Sequence, residues 1–253
     1  MREKYLFDNL SNQNLLVHLV SKKNHTKEYH FSLALHTDEN PQRILKNRAI
    51  IQAEFPLMHF MVANQTHSSN IETIDNQESK GWNTQESVIK DCDALISNQK
   101  GVMLTILTAD CVPILLFDPQ QKAVGAVHAG WRGTEQEIVF KTVEKMVETF
   151  GSNPKDIIAG VAPSIGACCY EVGEDVAKHF FDDGNAYTKK GDKFMLNLPH
   201  VNKMQLLRAG LSEENIEMSG ICTACEVEDY FSYRKEQGCS GRFMSMIGLK
   251  NNN

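Results

Sequence analysis

The sequence lacks an apolar run of transmembrane length. Its 253 residues are 42% hydrophobic and 23% charged, which are ordinary proportions for a globular protein. A helix that spans a bilayer needs about 20 consecutive apolar residues, so we expect no membrane partner. Residues 1–10 also lack the apolar core of an export signal. We therefore expect a cytoplasmic location.

An excess of basic charge is also missing. The chain has 26 Lys and Arg residues against 32 Asp and Glu residues, for a formal net charge of −6. Proteins that bind nucleic acid over a general surface carry a basic patch or stripe, so nucleic acid is not an expected partner. A small local group of arginines remains compatible with phosphate binding.

The seven cysteines show no regular disulfide spacing. Without an export signal we expect free thiols in a reducing compartment. Cys222 and Cys225 form a C-x-x-C, but no second such pair accompanies it. Cys168 and Cys169 are adjacent, which makes them poor joint ligands of one structural zinc. We interpret both pairs as packed structural thiols, because free cysteines are often buried.

No internal repeat, low-complexity segment or linker divides the chain, so we predict one domain covering residues 1–253. Predicted strands and helices are interleaved, which indicates the α/β or α+β class. The predicted strands include 15–20, 31–35, 57–63, 71–74 and 216–219. The predicted helices run from a cap at Asp38 or Asn40 to Glu54, from a Thr134–Glu137 capping box to Gly151, and over 174–181 and 198–209. Residues 75–90, with Trp82, are predicted to form an exposed, mobile loop.

Three apolar runs in the middle of the chain predict buried strands at 102–107, 112–117 and 123–127. Asp110 and Cys111 follow the first run, and His128 follows the third. A cysteine and a histidine that lie at strand ends can meet in space although they are 17 positions apart. This pattern suits either a metal site or a Cys/His nucleophile pair.

His67, Cys111 and His128 are the principal candidates for a metal site. A thiolate and two imidazoles are good zinc ligands, and three protein ligands leave a fourth position open. The spacing matches no short zinc signature, so spacing alone favours unrelated residues with Cys111 packed in the core. Asp110 is a candidate general base or ligand-orienting residue, and a role in a turn or cap is equally compatible with it.

Arginines are candidate phosphate ligands, because the forked guanidinium donors match phosphate oxygens. Arg132 precedes a predicted helix N-terminus, where unpaired N–H groups favour an anion. Arg48, Arg234 and Arg242 are further candidates. A single arginine is more often a surface charge, so Arg132 is preferred for its location.

Five motifs together resemble those of the laccase-domain, YfiH-like family. They cover nearly the whole chain in the family's order, as Gln65-Thr66-His67, Thr108-Ala109-Asp110-Cys111-Val112-Pro113, Val127-His128-Ala129-Gly130-Trp131-Arg132-Gly133, Ile165-Gly166-Ala167-Cys168-Cys169-Tyr170-Glu171-Val172-Gly173, and Phe231-Ser232-Tyr233-Arg234 closing on Gly241-Arg242. The Asn47-Arg48 pair also fits. The departures at Thr66, where valine is commoner, and at Ala167, where proline is frequent, do not touch a candidate ligand.

The resemblance implies a single-domain four-layer α/β sandwich with mixed β-sheets, shared with a bacterial toxin deamidase domain of the CNF type. It places His67, Cys111 and His128 on the family's metal ligands, with zinc as the expected cofactor and copper as the alternative. It also implies purine nucleosides and phosphate as partners. The implied reactions are phosphorolysis of adenosine, inosine and methylthioadenosine, and deamination of adenosine.

These reactions suggest roles for particular residues. The expected catalytic residues are Cys111, His128 and Asp110, and either Asp110 or Glu171 could supply the acid/base for deamination. Phosphorolysis needs an oriented phosphate with charge compensation. The expected substrate and phosphate contacts are Arg48 and Arg132 first, then Tyr170, Glu171 and Arg234.

Other classes of function stay open. A cysteine hydrolase or amidase, possibly for cell-wall precursor editing, would use Cys111 as nucleophile and His128 as base. A non-enzymatic metal-binding or partner-binding protein could use the loop 75–90. An older family label suggests a copper-dependent polyphenol oxidase. Multicopper oxidation is disfavoured because the other histidines, His18, His25, His30, His36 and His59 among them, show no H-x-H pairing.

Overall fold

Two mixed β-sheets form the centre of the molecule. The computed structural model describes residues 4–238 and 240–251, so the two ends of the predicted domain 1–253 lie outside the described residues. The strands are β1 (Lys4–Tyr5), β2 (Leu16–Ser21), β3 (His59–Val62), β4 (Ile71–Ile74), β5 (Ala94–Ser97), β6 (Val102–Thr108), β7 (Val112–Asp118), β8 (Ala123–Ala129), β9 (Ile158–Val161), β10 (Glu171–Val172), β11 (Tyr187–Lys190), β12 (Lys193–Leu196), β13 (Ile216–Met218) and β14 (Phe243–Leu249). The first sheet has the order β1-β2-β14-β6-β3, the second β13-β9-β7-β8-β5-β4, and a small third sheet β10-β12-β11.

Helices pack around the three sheets. They are α1 (Asp8–Ser11), α2 (Pro41–Glu54), α3 (Trp131–Glu135), α4 (Ile138–Phe150), α5 (Glu174–Ala177) and α6 (Leu198–Arg208), with short 3-10 turns at Glu28–Phe31, Gln85–Ser87, Pro154–Asp156, Lys178–Phe180 and Glu213–Asn215. Helix α2 begins as predicted, because Asn40 Oδ1 accepts a hydrogen bond from the Gln42 N–H at 3.0 Å and Pro41 occupies the first turn. No helix among residues 4–238 and 240–251 is long and apolar enough to cross a membrane.

Alternating side chains of the central strands separate four layers. In β6, Leu104 and Ile106 join the core between the two sheets, whereas Met103 and Leu107 join the core that contains Ile51 of α2. Successive residues of a strand point to opposite faces, so the first sheet is buried on both sides. This explains the continuous apolar run that predicted β6.

Strand β7 divides the second sheet in the same way. Leu115 and Phe117 face the first sheet, and Ile114 and Leu116 face the core shared with α4 and α6. The order of layers is therefore α2, first sheet, second sheet, and α4 with α6. The predicted four-layer α/β sandwich with mixed sheets is confirmed.

The predicted strand at 31–35 is wrong. The chain takes left-handed backbone angles at Tyr29, His30 and Phe31, with φ of 46°, 52° and 72°. Such angles interrupt an extended strand. The following residues form a loop whose apolar side chains, such as Leu33, are buried. Burial therefore produced an apolar pattern without a strand.

The predicted capping box at Thr134–Glu137 is also wrong. Glu137 itself is the cap of α4 and has left-handed backbone angles, without a side-chain cap bond. Thr134 belongs to the short helix α3, and its hydroxyl accepts a hydrogen bond from Asn202 at 3.0 Å. The predicted end of α4 at Gly151 is correct, because Gly151 is left-handed with φ of 72°.

The segment 75–90 is not an exposed loop throughout. Trp82 is only 4% exposed, and its ring stacks on Phe60 with centroids 3.9 Å apart. The backbone carbonyls of Gly81 and Trp82 both accept hydrogen bonds from Arg48 at 2.6 Å. This part of the segment is therefore anchored to the core rather than available as a flexible contact surface.

Candidate active site

Strand register brings the main candidate residues together. In β7 and β8, Pro113 pairs with His128, so His128 lies beside the turn that contains Cys111. Strands β3 and β6 are parallel, so the segment after β3 that carries His67 reaches the same edge as Cys111. The Gln65 side chain exchanges two hydrogen bonds of 2.8 Å with the Leu107 backbone, which fixes this segment against β6.

A cavity of about 510 Å³ opens at this edge. Its size suits a small organic ligand. It is lined by His36, Gln65, His67, Leu107, Thr108, Ala109, Asp110, Cys111, His128, Ile165, Tyr170, Leu198, Tyr233, Arg234 and Arg242. His67, Cys111 and His128, the predicted metal ligands, all belong to this wall.

The ligand atoms of His67, Cys111 and His128 lie within 4.8 Å of one another. Cys111 Sγ is 3.8 Å from His67 Nε2, and the two imidazole rings are 4.9 Å apart between centroids. His128 is 3% exposed, whereas His67 is exposed. A group of two imidazoles and one thiolate with one open side fits a zinc ion that keeps a position for water or substrate.

Asp93 holds two of these residues in place, and sequence reasoning missed it. Its carboxylate accepts hydrogen bonds from the backbone N–H groups of Thr66, His67 and Ser68 at 3.1, 3.0 and 2.7 Å. It also lies 2.7 Å from Nδ1 of His128. A carboxylate on the outer nitrogen of a ligand histidine fixes its tautomer and orientation. An acidic residue directly before the apolar strand β5 was the signal available in the sequence.

These contacts shift the pKa values of the site. Burial would raise the pKa of Asp93, but the hydrogen bonds and charge of His128 and the contacts with Ser68 lower it to about 2. Burial likewise opposes ionisation of Cys111, yet His128 and His67 lower its pKa to about 6. Despite its burial, His128 has its pKa raised to about 9 by Cys111 and Asp93. A thiolate is therefore favoured at neutral pH, as a metal ligand or a nucleophile requires.

Gly130 leaves the space that His67 and Cys111 occupy. A Cβ atom at position 130 would lie 2.8 Å from Cδ2 of His67 and 3.1 Å from Sγ of Cys111. The glycine between β8 and α3 therefore allows the close approach of two candidate ligands. The conformation at His67 is also unusual, with φ of 61°.

Asp110 lines the cavity, but both of its carboxylate oxygens are engaged. Oδ1 accepts a hydrogen bond from the Thr223 hydroxyl, and Oδ2 accepts one from the Arg234 N–H, both at 2.7 Å. Asp110 has φ of 98°, which is strained for a residue other than glycine. These contacts favour a role in positioning Arg234 and the neighbouring Cys111.

The structure separates the predicted arginines. Arg234 lines the cavity, with its guanidinium carbon 5.2 Å from the centre of the Tyr170 ring, and Arg242 joins it in the wall. Arg132 is exposed and does not line the cavity, and α3 has only five residues. The structure therefore gives no support to the anion site predicted at Arg132, and a phosphate contact by Arg132 stays a prediction.

The prediction that Arg48 binds phosphate is also wrong. Arg48 is 1% exposed, and its guanidinium donates to the carbonyls of Leu33, Gly81 and Trp82. It therefore joins α2 to two loops. An arginine in a helix gives no sign in sequence of which way its long side chain points.

Glu171 contributes its backbone rather than its carboxylate. Its carbonyl accepts a hydrogen bond from Arg234 at 2.7 Å, while its side chain lies outside the cavity wall and pairs with Lys190 at 3.2 Å. These contacts do not support the expectation that Glu171 supplies an acid/base group, which stays a prediction. His36, which no motif indicated, lines the cavity because the loop after residue 31 turns toward it.

The two cysteine pairs are not packed in the core. Cys168 and Cys225 are exposed, and Cys169 and Cys222 are partly exposed. The interpretation of both pairs as packed thiols is therefore wrong. The structure brings all four together in a second group of candidate metal ligands, outside the cavity. Cys168 Sγ and Cys169 Sγ lie 3.6 and 3.5 Å from Cys225 Sγ, so the expectation that these adjacent residues cannot share one ion is also not supported.

The four layers and the His-Cys-His group describe an α/β sandwich protein with a candidate three-residue metal site. The chain belongs to the family described as multi-copper polyphenol oxidoreductase laccase, whose model matches residues 19–250. The predicted resemblance to the YfiH-like family is thereby confirmed.

Known proteins agree with this assignment over nearly the whole chain. The crystal structure of the Bacillus licheniformis hypothetical protein YfiH is similar with a TM-score of 0.93 and 31% identity, over 99% of this chain and 97% of that one. Purine nucleoside phosphorylase YlmD of Bacillus subtilis (strain 168) is 33% identical, over 96% of this chain and 91% of its own. Adenosine deaminase RL5, of an unknown prokaryotic organism, is 32% identical over 87% of both chains. The names of these two relatives support the interpretation that this chain is an enzyme.

Proposed function

We propose that the protein is a metal-dependent purine nucleoside phosphorylase that also deaminates adenosine. The observation that carries the proposal is the His67-Cys111-His128 group in the wall of a cavity that also contains two arginines. The names of two relatives support the two reactions. Adenosine, inosine and methylthioadenosine are the proposed substrates, and zinc is the proposed metal, with copper as the alternative.

The donor set explains what a metal would contribute. Zinc bound by His67, Cys111 and His128 would lower the pKa of a bound water or polarise a substrate oxygen. Asp93 keeps Nδ1 of His128 occupied, so Nε2 is the nitrogen left for the metal. Among the described residues, one candidate ligand group contains histidine, and it contains two histidines. A multicopper oxidase needs many more, so this group favours nucleoside chemistry over polyphenol oxidation.

Arg234 and Arg242 replace Arg48 and Arg132 as the proposed phosphate ligands. Both line the cavity, and guanidinium groups match phosphate oxygens. The Glu171 carbonyl and the Asp110 carboxylate hold Arg234 in position. Tyr170 lies beside Arg234, and burial, with Cys111 nearby, raises its pKa to about 12. Tyr170 therefore keeps its proton at neutral pH and can donate a hydrogen bond to a substrate.

The test is chromatography of adenosine after incubation with zinc-loaded protein, with and without phosphate. Adenine that forms only with phosphate would support phosphorolysis, and inosine in both samples would support deamination. A Cys111→Ala variant should lose both activities together with metal. Unchanged adenosine in the zinc-loaded sample, or full turnover and metal content in Cys111→Ala, would contradict the proposal.

One observation favours a second candidate, a cysteine hydrolase or amidase. The arrangement is that of a nucleophile, a base and an orienting carboxylate, with Cys111 next to His128 and His128 bonded to Asp93. The neighbouring histidines lower the pKa of Cys111 to about 6. In this case a thiol reagent would inactivate the enzyme, substrate would protect it, and a chelator would have no effect on turnover. Loss of activity in chelator would support the metal-dependent function instead.

A further inference from the structure

Four cysteines from two distant loops meet on the surface beside the cavity wall. Cys168 and Cys169 follow β9, and Cys222 and Cys225 lie between β13 and β14. Their sulfur atoms all lie within 4.8 Å of one another. Cys225 Sγ is 3.6 Å from Cys168 Sγ and 3.5 Å from Cys169 Sγ. We call these four residues the tetracysteine cluster.

The sulfur spacing matches a metal-thiolate site. Zinc–sulfur bonds of about 2.3 Å in a tetrahedron place the sulfurs about 3.8 Å apart. The observed 3.5 and 3.6 Å agree with this spacing. All four cysteines are free, and a disulfide would bring two sulfurs to about 2.05 Å. The cluster therefore has the dimensions of a site that encloses one ion.

Backbone hydrogen bonds hold the cluster in shape, and one of them goes to a cluster sulfur. Ser164 donates from its N–H to Ile221 O at 3.2 Å, and Thr223 donates to Ser164 O at 3.0 Å, which joins the two loops. The Gly166 N–H donates to Cys222 Sγ at 3.2 Å. Backbone donors to ligand sulfur orient a thiolate and stabilise its charge. The Cys225 N–H also bonds to Cys222 O, which closes the C-x-x-C turn.

Exposure distinguishes this cluster from packed thiols. Cys168 and Cys225 are exposed, so an ion can enter directly from solvent. Free cysteines usually gather in a core because burial of the thiol is favourable. These four thiols are exposed or partly exposed, so core packing does not explain why they lie together. Four thiol ligands and no nitrogen or oxygen ligand favour a soft or borderline cation.

We propose that Cys168, Cys169, Cys222 and Cys225 bind one zinc ion as a structural site, separate from the His67-Cys111-His128 group. The ion would be held by four thiolates after release of the thiol protons to water. It joins the loop 162–170 to the loop 219–226.

The same loops support the cavity. Thr223, between Cys222 and Cys225, donates to Asp110, and Tyr170, next to Cys169, lines the cavity. Binding at the cluster would therefore stabilise two parts of the wall. This inference does not rest on nucleoside activity.

Metal content per chain is the first test, on full-length protein purified with a non-chelating reductant. Wild type should hold about two zinc ions and Cys111→Ala about one. Adding Cys222→Ser and Cys225→Ser to Cys111→Ala should remove the remaining ion. The matched control combines Cys111→Ala with Cys92→Ala, because Cys92 is buried outside both groups. This control should keep the remaining zinc ion. Unchanged metal content after the double serine substitution would overturn the proposal.

A second test needs no substitution in the cluster. With zinc bound, Cys168 and Cys225 should resist alkylation despite their exposure, and a chelator should remove this protection. Cobalt bound to Cys111→Ala should show the absorption of a tetrahedral all-thiolate site. Alkylation of both cysteines at the same rate with and without chelator would overturn the proposal. The proposal would also be overturned if the protein, after reduction and removal of the reductant, held no metal at the cluster and formed a disulfide between two cluster cysteines instead.

Discussion

Asp93 shows how one side chain can organise a candidate metal site without belonging to its ligand group. It accepts three backbone hydrogen bonds from the segment that carries His67 and binds the outer nitrogen of His128. Its carboxylate therefore sets the positions of two ligands at once. Hydrogen bonds of this kind are charge-assisted and stronger than neutral ones.

Replacing Asp93 with asparagine should weaken metal binding. One carboxylate oxygen becomes an NH₂ donor, which cannot accept from the backbone and opposes the correct orientation of His128. Loss of such a partner typically lowers metal affinity about 10- to 100-fold. Competition with a chelating dye measures the change. Asp91→Asn is the matched control. The carboxylate of exposed Asp91 accepts from the Thr66 hydroxyl and contacts neither His67 nor His128, so this substitution should leave affinity nearly unchanged.

Arg48 illustrates the opposite case, in which a candidate ligand is structural. Burial lowers the pKa of Arg48 to about 10, so it remains charged at neutral pH and its charge is met by three carbonyl oxygens. Substitution would leave these carbonyls without their donor. An unsatisfied buried polar group costs about 1 to 3 kcal/mol.

Arg48→Met should therefore lower the free energy of unfolding by at least about 2 kcal/mol. Urea denaturation measures it, and Arg43→Met, on the same helix but exposed, should change it little. The KM for phosphate should stay unchanged in Arg48→Met and rise in Arg234→Met. A raised KM for phosphate in folded Arg48→Met would instead indicate that Arg48 contacts the phosphate.

At the scale of elements, the turn from β8 to α3 determines whether the candidate ligands can meet. Gly130 has φ of −73°, which any residue can adopt, so its role is to leave space rather than to supply unusual backbone angles. His67 and Cys111 border this space, and the β7–β8 register places His128 beside the turn that carries Cys111.

Gly130→Ala should preserve the fold but lose metal. The added methyl group would collide with His67 and Cys111, at 2.8 and 3.1 Å, and displace a ligand. Metal content and circular dichroism together test this expectation. Gly184→Ala is the control, because a Cβ there meets no atom within 4 Å. Full metal content in Gly130→Ala would mean that the ligands adjust around the methyl group.

At the scale of the whole molecule, the site contributes to stability through Asp93. The carboxyl has an ordinary pKa near 4 in the unfolded chain and about 2 in the folded metal-free protein. The resulting stability is present above about pH 4 and is lost as the pH falls toward about 2, because the unfolded state then binds the proton more readily.

This shift corresponds to ~2 kcal/mol. The difference in unfolding free energy between metal-free wild type and Asp93→Asn should therefore narrow by that amount between about pH 5 and about pH 2. Urea denaturation in the presence of chelator measures it at each pH. A difference that stays constant with pH would show that the Asp93 pKa is not depressed by folding.

Local pattern alone determined much of this molecule. Continuous apolar runs predicted β6, β7 and β8, because strands buried on both faces need apolar side chains at every position. The Asn40-Pro41 start of α2 also follows from residue chemistry alone. His67, Cys111 and His128 were candidates because their side chains are good ligands. Spacing alone favoured unrelated residues, and the resemblance of the surrounding motifs to the family is what grouped the three into one site.

Only the tertiary structure decided which side chains share a space. Asp93 is 35 positions from His128, and the cysteine pairs 168–169 and 222–225 are more than 50 positions apart, so strand pairing and loop contacts had to bring them together. Tertiary packing also decided where the arginines lie. Arg48 is buried in the core and Arg132 is exposed, whereas Arg234 and Arg242 line the cavity. A sequence states which groups a chain carries, whereas the packing of its layers determines their neighbours and the direction of each side chain.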